Sequence, residues 1–377
     1  MTLLAEQLIR HIHAAQGQVV IALNGGSTAV AELLQVPGGS RTLLEAVMPY
    51  AERALTAWLG SRPDQFCSSR TARAMAIAAF DRALGYGAAE EHAAGVSCTA
   101  GLATDRPKLG PHRAHVAVQT LDQTRHWSLE LEKGARTRQE EEHVVGLMVL
   151  NAVAEACGVG ERLELPLLEH EQVAMEHISA PRPWQDLFLG RIEALDVTAN
   201  RESPSPTPPR VVLAGAFNPL HAGHRRMAQI AQEMVGFPAA MEISIKNVDK
   251  PALDYLEIDC RLRQFAPEQS VWLTRAAAFE EKSRLFAGAT FVVGVDTLQR
   301  IADPRYYGND PTVMMQAIQR IIARDCRFLV FGRALESGFV CLSDLALPDM
   351  LRHVCSEIPV ETFREDVSST ELRREAI

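Results

Sequence analysis

The sequence lacks paired cysteines, an excess of positive charge and any long hydrophobic run. Its seven cysteines are scattered without a Cys-x-x-Cys pair, which argues against a disulfide scaffold or a zinc site and is typical of reduced thiols. The formal net charge of −9 provides no overall positive field for DNA or RNA. No apolar run reaches the ~20 residues of a membrane helix, and residues 1–17 lack the pattern of a secretory signal. We therefore expect a cytoplasmic protein without a nucleic-acid or membrane partner and without a metal site.

A segment rich in proline and serine divides the chain. Residues 196–210 read DVTANRESPSPTPPR, a composition typical of an extended, exposed tether. A chain of 377 residues also exceeds what one hydrophobic core usually serves. The sequence therefore predicts a first domain over residues 1–165, a connecting segment and linker over 166–210, and a second domain over 211–377.

Both halves alternate strand-like and helix-like segments, which predicts an α/β fold for each domain. In the second half the apolar segments lack polar alternation, and helical patterns separate them, which indicates a parallel sheet covered on both faces. Ligands of such sheets bind at the carboxyl ends of the strands. The strands predicted there are 211–217, 241–248, 270–274, 290–296 and 326–332.

The first of these strands runs into an unusual turn, GAFNPLHAGH at residues 215–224. Gly215 and Gly223 allow the backbone to approach a ligand closely. A helix predicted from Gly223 presents free N–H groups and a positive dipole end to an anion. His221 and His224 are three residues apart, so both imidazoles can donate hydrogen bonds to one phosphate. A metal site and an ordinary polar helix start are the alternatives for this pair.

A second polar helix start lies at the C-terminus, where residues 367–377 read VSSTELRREAI. The hydroxyls of Ser368, Ser369 and Thr370 and the backbone N–H groups beside them form a second potential anion site. Arg373 follows about one turn later, where its guanidinium can reach a phosphate above that helix start.

Together, His221-Ala222-Gly223-His224 and the Ser-Ser-Thr-x-x-Arg run at 368–373 resemble the motifs of the HxGH nucleotidyltransferase superfamily. The resemblance covers residues 211–377 and implies a Rossmann-like, cytidylyltransferase-like domain. It further implies transfer of a nucleotidyl group from ATP or CTP to a phosphorylated small-molecule acceptor, with Mg²⁺ and release of pyrophosphate. The residues that it implies as catalytic are His221, His224 and Arg373. Those that it implies for nucleotide binding are Gly215, Phe217, Asn218, Gly223, Gly294, Asp296, Ser368, Ser369 and Thr370.

Two stretches narrow the resemblance within that superfamily. Phe217-Asn218-Pro219 and FVVGVDTLQRI (291–301) are similar to nicotinamide- or nicotinate-mononucleotide adenylyltransferases, which implies a role in NAD biosynthesis and places Gly294 and Asp296 near the nucleoside. A cytidylyltransferase, another acceptor and a non-catalytic nucleotide sensor stay open as alternatives, and Asp296 could instead cap the following helix.

The first half resembles the C-terminal domain of CinA, the nicotinamide-mononucleotide deamidase family, over residues 22–40, 49–60, 74–80 and 96–118. An alignment without gaps puts Leu23 where that family has its nucleophilic serine and Leu55 where it has a lysine. Because a nucleophile needs both an attacking atom and an activating group, we expect a domain that binds ligand or forms a homo-oligomer. Residual amide hydrolysis is the alternative, and the turn Gly25–Thr28 is a further candidate phosphate site.

Overall fold

The computed structural model of the protein describes residues 1–106, 109–198, 207–247, 252–335 and 338–364. The chain divides into two compact units. Unit 1 contains Met1–Gln185 and the described residues 252–256; unit 2 contains the other described residues from Asp186 onward. Both units combine helices with a sheet that contains parallel strands, so the predicted two-domain α/β fold is confirmed. Within the described part of the chain, no helix is both long enough and apolar enough to cross a membrane.

Unit 1 is built on a mixed sheet. Its strands are β1 (Gln18–Asn24), β2 (Leu43–Val47), β3 (Ala93–Gly101), β4 (His112–Gln119), β5 (Gln123–Leu131) and β6 (Val173–Ser179). Its helices are α1 (Leu3–Ala14), α2 (Thr28–Gln35), α3 (Gly39–Thr42), α4 (Glu52–Leu59), α5 (Ser69–Gly85) and α6 (Arg138–Ala156). The strand order is β2-β1-β3-β4-β5-β6, with β1 parallel to β2 and β3 and the later neighbours antiparallel.

Residue size explains how the helices cover this sheet. Alternate side chains of β1, among them Val19, Ile21 and Leu23, join α1, α2 and α6 in the main core. The alanine-rich helix α5 lies on β3 so closely that a Cβ at Gly95 would collide with its backbone. Small residues thus bring α5 onto the sheet, whereas branched side chains fill the space beneath the other helices.

Unit 2 is built on a larger sheet, and α7 (Arg182–Leu189) precedes it along the chain. Its strands are β7 (Ala194–Asp196), β8 (Val211–Ala214), β9 (Ala239–Ser244), β10 (Val271–Thr274), β11 (Thr290–Gly294), β12 (Arg327–Phe331), β13 (Arg333–Leu335), β14 (Gly338–Val340) and β15 (Cys355–Ile358). Its helices are α8 (Ala222–Val235), α9 (Tyr255–Leu262, of which the residues from Glu257 onward belong to unit 2), α10 (Phe279–Leu285), α11 (Val295–Ile301), α12 (Pro311–Ala323) and α13 (Asp349–Arg352), with short 3-10 turns at Pro304–Tyr307 and Leu342–Asp344.

The order of strands in unit 2 creates a switch point. The order is β15-β12-β11-β8-β9-β10-β7, with β13 and β14 forming a separate hairpin. All neighbours are parallel except β7, which is antiparallel to β10. From β8 the chain moves outward to β9 and β10, then returns to the other side of β8 to form β11. Ligands of open parallel sheets bind outside the carboxyl ends of the two strands at such a reversal, here β8 and β11.

The boundaries of the two compact units differ from the domain boundaries predicted from the sequence. Within the predicted connecting segment 166–210, β6 belongs to the sheet of unit 1 and β7 to that of unit 2, whereas 199–206 lie outside the described residues. Residues 252–256, predicted in the second domain, pack in unit 1. There Asp254 pairs with Arg73 at 2.9 Å, and the Tyr255 hydroxyl donates to the Leu121 carbonyl at 2.8 Å. Most side chains of β6 are exposed, so this edge strand lacks the apolar alternation by which strands are predicted.

Candidate functional site

The turn after β8 is shaped by close packing. The Gly215 N–H donates to the Glu242 carbonyl of β9 at 3.0 Å, which continues the sheet one residue beyond the strand. A Cβ at Gly215 would lie 2.8 Å from the Phe217 ring, so only glycine leaves that ring in place. Phe217 itself is fully buried and has a φ of 45°, a left-handed conformation that is costly for a bulky residue and is kept only when the surroundings enforce it.

Phe217 positions one of the two histidines. Its ring lies edge-on to the His224 ring, with centroids 5.0 Å apart, and edge-on to Phe265 at 5.3 Å. Because its side chain is buried, Phe217 shapes the site rather than offering a surface to a nucleotide. Asn218, the next predicted binding residue, donates from Nδ2 to the Glu257 carboxylate at 3.3 Å.

The structure brings His221 and His224 together at the start of α8. His221 is the N-cap residue, His224 lies in the first turn, and their ring centroids are 3.7 Å apart. The His221 N–H donates to Nδ1 of His224 at 3.3 Å. Since Nδ1 accepts this bond, the proton of the neutral His224 ring is on Nε2, where it can be donated to a ligand.

Burial keeps the His224 ring neutral. Desolvation, followed by repulsion from the charged form of His221, lowers the pKa of His224 from 6.5 to about 4. At neutral pH His224 is therefore an uncharged hydrogen-bond donor. Both rings are half-buried, so they remain partly accessible to solvent and to a ligand.

Three residues of one face of α9 and its C-terminal extension brace this turn, and sequence reasoning missed them. The Arg261 guanidinium donates to the Ala216 carbonyl at 3.0 Å and is held by Glu257 at 2.8 Å. The Gln264 amide donates to the Phe217 carbonyl at 3.0 Å and accepts from the Leu220 N–H at 2.7 Å. The spacing of Glu257, Arg261 and Gln264 by four and three residues, which places them on one helix face, was the available signal.

The second predicted strand end lies beside the first. Leu213 of β8 is in register with Val292 of β11, and Gly215 and Gly294 each follow two residues later. Gly294 is the N-cap of α11, and Asp296 lies in its first turn. The Asp296 carboxylate forms an ion pair with Arg333, which follows β12. The structure thus places Gly215, Gly294 and the histidine pair at the switch point. Asp296 is paired with Arg333, the first residue of β13.

The other predicted anion site falls beyond the described part of the chain. Ser368, Ser369, Thr370 and Arg373 all lie outside the described residues, so their approach to the histidine pair stays a prediction. Among the residues that the structure describes, no three or more His, Cys, Asp or Glu side chains come together in a way that could hold a metal ion.

The candidate phosphate site of unit 1 has a carboxylate in it. At the turn between β1 and α2, Oε1 of Glu142 accepts hydrogen bonds from the Ser27 N–H at 2.7 Å and from the Ser27 hydroxyl at 2.8 Å. A phosphate at this helix start would meet that negative charge. Thr28 packs against Gly146 of α6 so closely that any side chain there would collide with it.

Comparison with known proteins gives likenesses at the level of solved structures. No protein-family model matches the chain, and no curated protein matches it. The competence/damage-inducible protein CihA from Agrobacterium tumefaciens is 20% identical, over 43% of this chain and 100% of that one, with a TM-score of 0.34. A competence or damage-inducible protein from Enterobacter asburiae is 14% identical, over 42% of this chain and 98% of that one, with a TM-score of 0.34.

A CinA superfamily protein from Enterobacter cloacae is similar to the same degree. It is 15% identical, over 42% of this chain and 93% of that chain, with a TM-score of 0.33. The name of this last protein is that of the superfamily that the first half resembles. At such identities and TM-scores these structural neighbours assign no activity to this chain.

Proposed function

We propose that unit 2 is a nucleotidyltransferase that transfers the adenylyl group of ATP to nicotinamide or nicotinate mononucleotide. The observation that carries the proposal is the His221–His224 pair at the start of α8, located at the switch point between β8 and β11. A helix start directs backbone N–H groups and a positive dipole end at an anion. The pair adds imidazole donors to that position.

The reaction requires alignment and charge stabilisation. A phosphate oxygen of the acceptor attacks the α-phosphorus of ATP, a new P–O bond forms, and the bond from the α-phosphorus to the bridging oxygen breaks. Pyrophosphate leaves with the electron pair of that bond. His224 Nε2–H donates to a phosphoryl oxygen as charge develops, an interaction that is strongest in the transition state. No covalent enzyme intermediate is needed.

Mg²⁺ would enter with the triphosphate. This ion keeps several waters and is usually held by phosphate oxygens together with one or two carboxylates. The Glu257 carboxylate at the histidine turn is already held by Arg261 at 2.8 Å and by Asn218 at 3.3 Å, so the nucleotide would supply most of the ligands of the metal. Bound there, Mg²⁺ would neutralise charge on the phosphates.

Support for the acceptor comes from sequence. The resemblance of Phe217-Asn218-Pro219 and of residues 291–301 to mononucleotide adenylyltransferases favours a pyridine mononucleotide. Gly294 and Asp296, in the second of these stretches, lie at the end of the strand next to β8.

A substrate panel tests the proposal. The full chain is incubated with Mg²⁺, each of ATP, CTP, GTP and UTP, and nicotinamide mononucleotide, nicotinate mononucleotide or other phosphorylated acceptors, and pyrophosphate is measured. We expect release with ATP and a pyridine mononucleotide, its loss in His224→Ala, and its retention in the exposed-surface control His353→Ala. Release only with CTP would indicate a cytidylyltransferase, and ATP binding without turnover on any acceptor would indicate a sensor.

A further inference from the structure

We infer that Gln264 is the positioning residue that sets the tautomer and orientation of His224 at the nucleotide site. This inference rests on the proposed function for its ligand, although its structural part concerns the histidine alone. Gln264 lies two residues beyond α9 and about 44 residues from the turn that it contacts.

The side-chain amide of Gln264 holds both ends of a short backbone segment. Its Nε2 donates to the Phe217 carbonyl at 3.0 Å, and its Oε1 accepts from the Leu220 N–H at 2.7 Å. A single side chain can do this only if it offers a donor and an acceptor side by side, as a primary amide does. The segment from Phe217 to Leu220 is therefore fixed at both ends by one residue.

Each end of that segment leads directly to His224. At one end, the Phe217 ring lies against the His224 ring. At the other, the N–H that follows the one bound by Gln264 belongs to His221, and it donates to Nδ1 of His224 at 3.3 Å. Two consecutive backbone N–H groups are thus held from two sides, the first by Gln264 and the second by His224.

The direction of the His221 N–H decides which ring nitrogen of His224 carries the proton. While that N–H meets Nδ1, only the Nε2–H form of the neutral ring is compatible with the contact. Release of the Leu220 N–H would free the peptide between Pro219 and Leu220. The chain could then turn about Leu220, the next N–H, that of His221, would change direction, and Nδ1 of His224 would lose its donor. A catalytic imidazole of the wrong tautomer presents an acceptor where a donor is required.

The variants Gln264→Met and Gln264→Glu separate the two contacts. Gln264→Met keeps the length of the side chain and removes both hydrogen bonds. Gln264→Glu retains the acceptor for the Leu220 N–H and loses the donor to the Phe217 carbonyl. Gln269→Met is the matched control, because the Gln269 amide also donates to a backbone carbonyl, that of Ala239 at 3.1 Å, but at the start of β9 and so at the opposite edge of the sheet.

Imidazole NMR on the full chain reads out the tautomer and the pKa of His224, and calorimetry reads out ATP binding. We expect the wild type to show one Nε2–H tautomer, whereas Gln264→Met shows a mixture, a raised His224 pKa and ATP binding weakened about tenfold, as for the loss of one to two hydrogen bonds. Gln264→Glu should keep the tautomer with a smaller loss of affinity. Gln269→Met should match the wild type in both.

An unchanged His224 tautomer and pKa in Gln264→Met would overturn the inference, even if that variant had a lower melting temperature. Should Gln264→Met fail to fold, Gln264→Asn decides, because its shorter amide adds no charge and cannot reach both backbone groups at once: a mixed His224 tautomer with weaker ATP binding supports the positioning role, and a wild-type tautomer contradicts it. Absence of ATP binding by the wild type would refute the proposed function, and the His224 spectrum would still decide the role of Gln264.

Discussion

The turns after β1 in unit 1 and after β8 in unit 2 have the same local structure but differ in the side chains that contact them. Each follows a buried strand with parallel neighbours, contains glycine and leads into a helix. In unit 1 the carboxylate of Glu142 lies at the helix start and binds Ser27. In unit 2 the start of α8 has two imidazoles, and the braces from Arg261 and Gln264 contact the turn behind them.

A helix start is therefore not a ligand site by itself. The same free N–H groups and dipole that attract a phosphate also attract a carboxylate of the protein, and a carboxylate already in place repels a second anion. In unit 1 a neighbouring helix supplies that carboxylate. In unit 2 the first turn of α8 contains no acidic residue and offers the neutral donor His224 to an anion.

The strongest test of this difference is His224→Ala. Removal of one preorganised donor at a site of developing charge typically costs ~10²–10³-fold in kcat, and we expect a loss of that size in pyrophosphate release. The folded fraction, followed by circular dichroism, should stay unchanged under assay conditions. If His224→Ala kept wild-type turnover, the turn after β8 would contribute no more to nucleotidyl transfer than the turn after β1, and the proposed difference between the two turns would be wrong.

The strands and the histidine pair were predictable because their signals are local. Apolar runs gave β8 and β11, although both strands end earlier than predicted, since the chain leaves the sheet after Gly215 and after Gly294. The pairing of His221 with His224 at a helix start follows from their spacing.

Contacts between distant parts of the chain were not predictable. Glu142 is 115 residues from Ser27, and Gln264 is 44 residues from Leu220. Spacing can show that Glu257, Arg261 and Gln264 share one helix face, but a single sequence does not say which distant turn that face will contact. The sequence around Gly25–Thr28 therefore gave no sign of the carboxylate that lies at this candidate phosphate site, and the contacts that brace the histidine turn were not predicted.

Glu142→Ala should give the next largest effect, on stability. It leaves the Ser27 N–H and hydroxyl without their acceptor, and we expect a loss of about 2 kcal/mol in the free energy of unfolding. If the carboxylate is what keeps anions out of this turn, the variant should regain stability in phosphate buffer. Glu142→Gln, which retains an acceptor without charge, is the control, and denaturation in chloride and in phosphate is the measurement.

Acid pH should destabilise both units through different histidines. Burial lowers the pKa of His224 in unit 2, and of His115 and His126 in unit 1, to about 4. Because the folded values lie below the unfolded value near 6.5, the unfolded state binds more protons between pH 6.5 and 4, and stability falls as the pH falls through that window.

We expect His224 to account for about 1–2 kcal/mol of that loss after solvent screening. Bound ATP should raise the His224 pKa, because the triphosphate stabilises the charged ring, and should leave those of His115 and His126 unchanged. Titration of the imidazole resonances with and without ATP checks the predicted pKa changes of these three histidines, and denaturation at pH values between 6.5 and 4 checks the loss of stability. A shift confined to the unit 1 histidines would place the nucleotide in the wrong unit for our proposal.

Ser27→Ala should have the smallest effect, and it tests whether the turn after β1 in unit 1 has any catalytic role. The substitution removes one hydrogen bond to Glu142 and retains the one from the Ser27 N–H, so we expect about 1 kcal/mol of lost stability or less. Pyrophosphate release should not change, since Ser27 belongs to the other unit.

Ammonia release from nicotinamide mononucleotide, measured for wild type and Ser27→Ala, tests the alternative that unit 1 retains amide hydrolysis. If the wild type hydrolysed this amide and Ser27→Ala did not, the Glu142-bound serine would be a nucleophile, and unit 1 would be a second catalytic domain with Glu142 as the base.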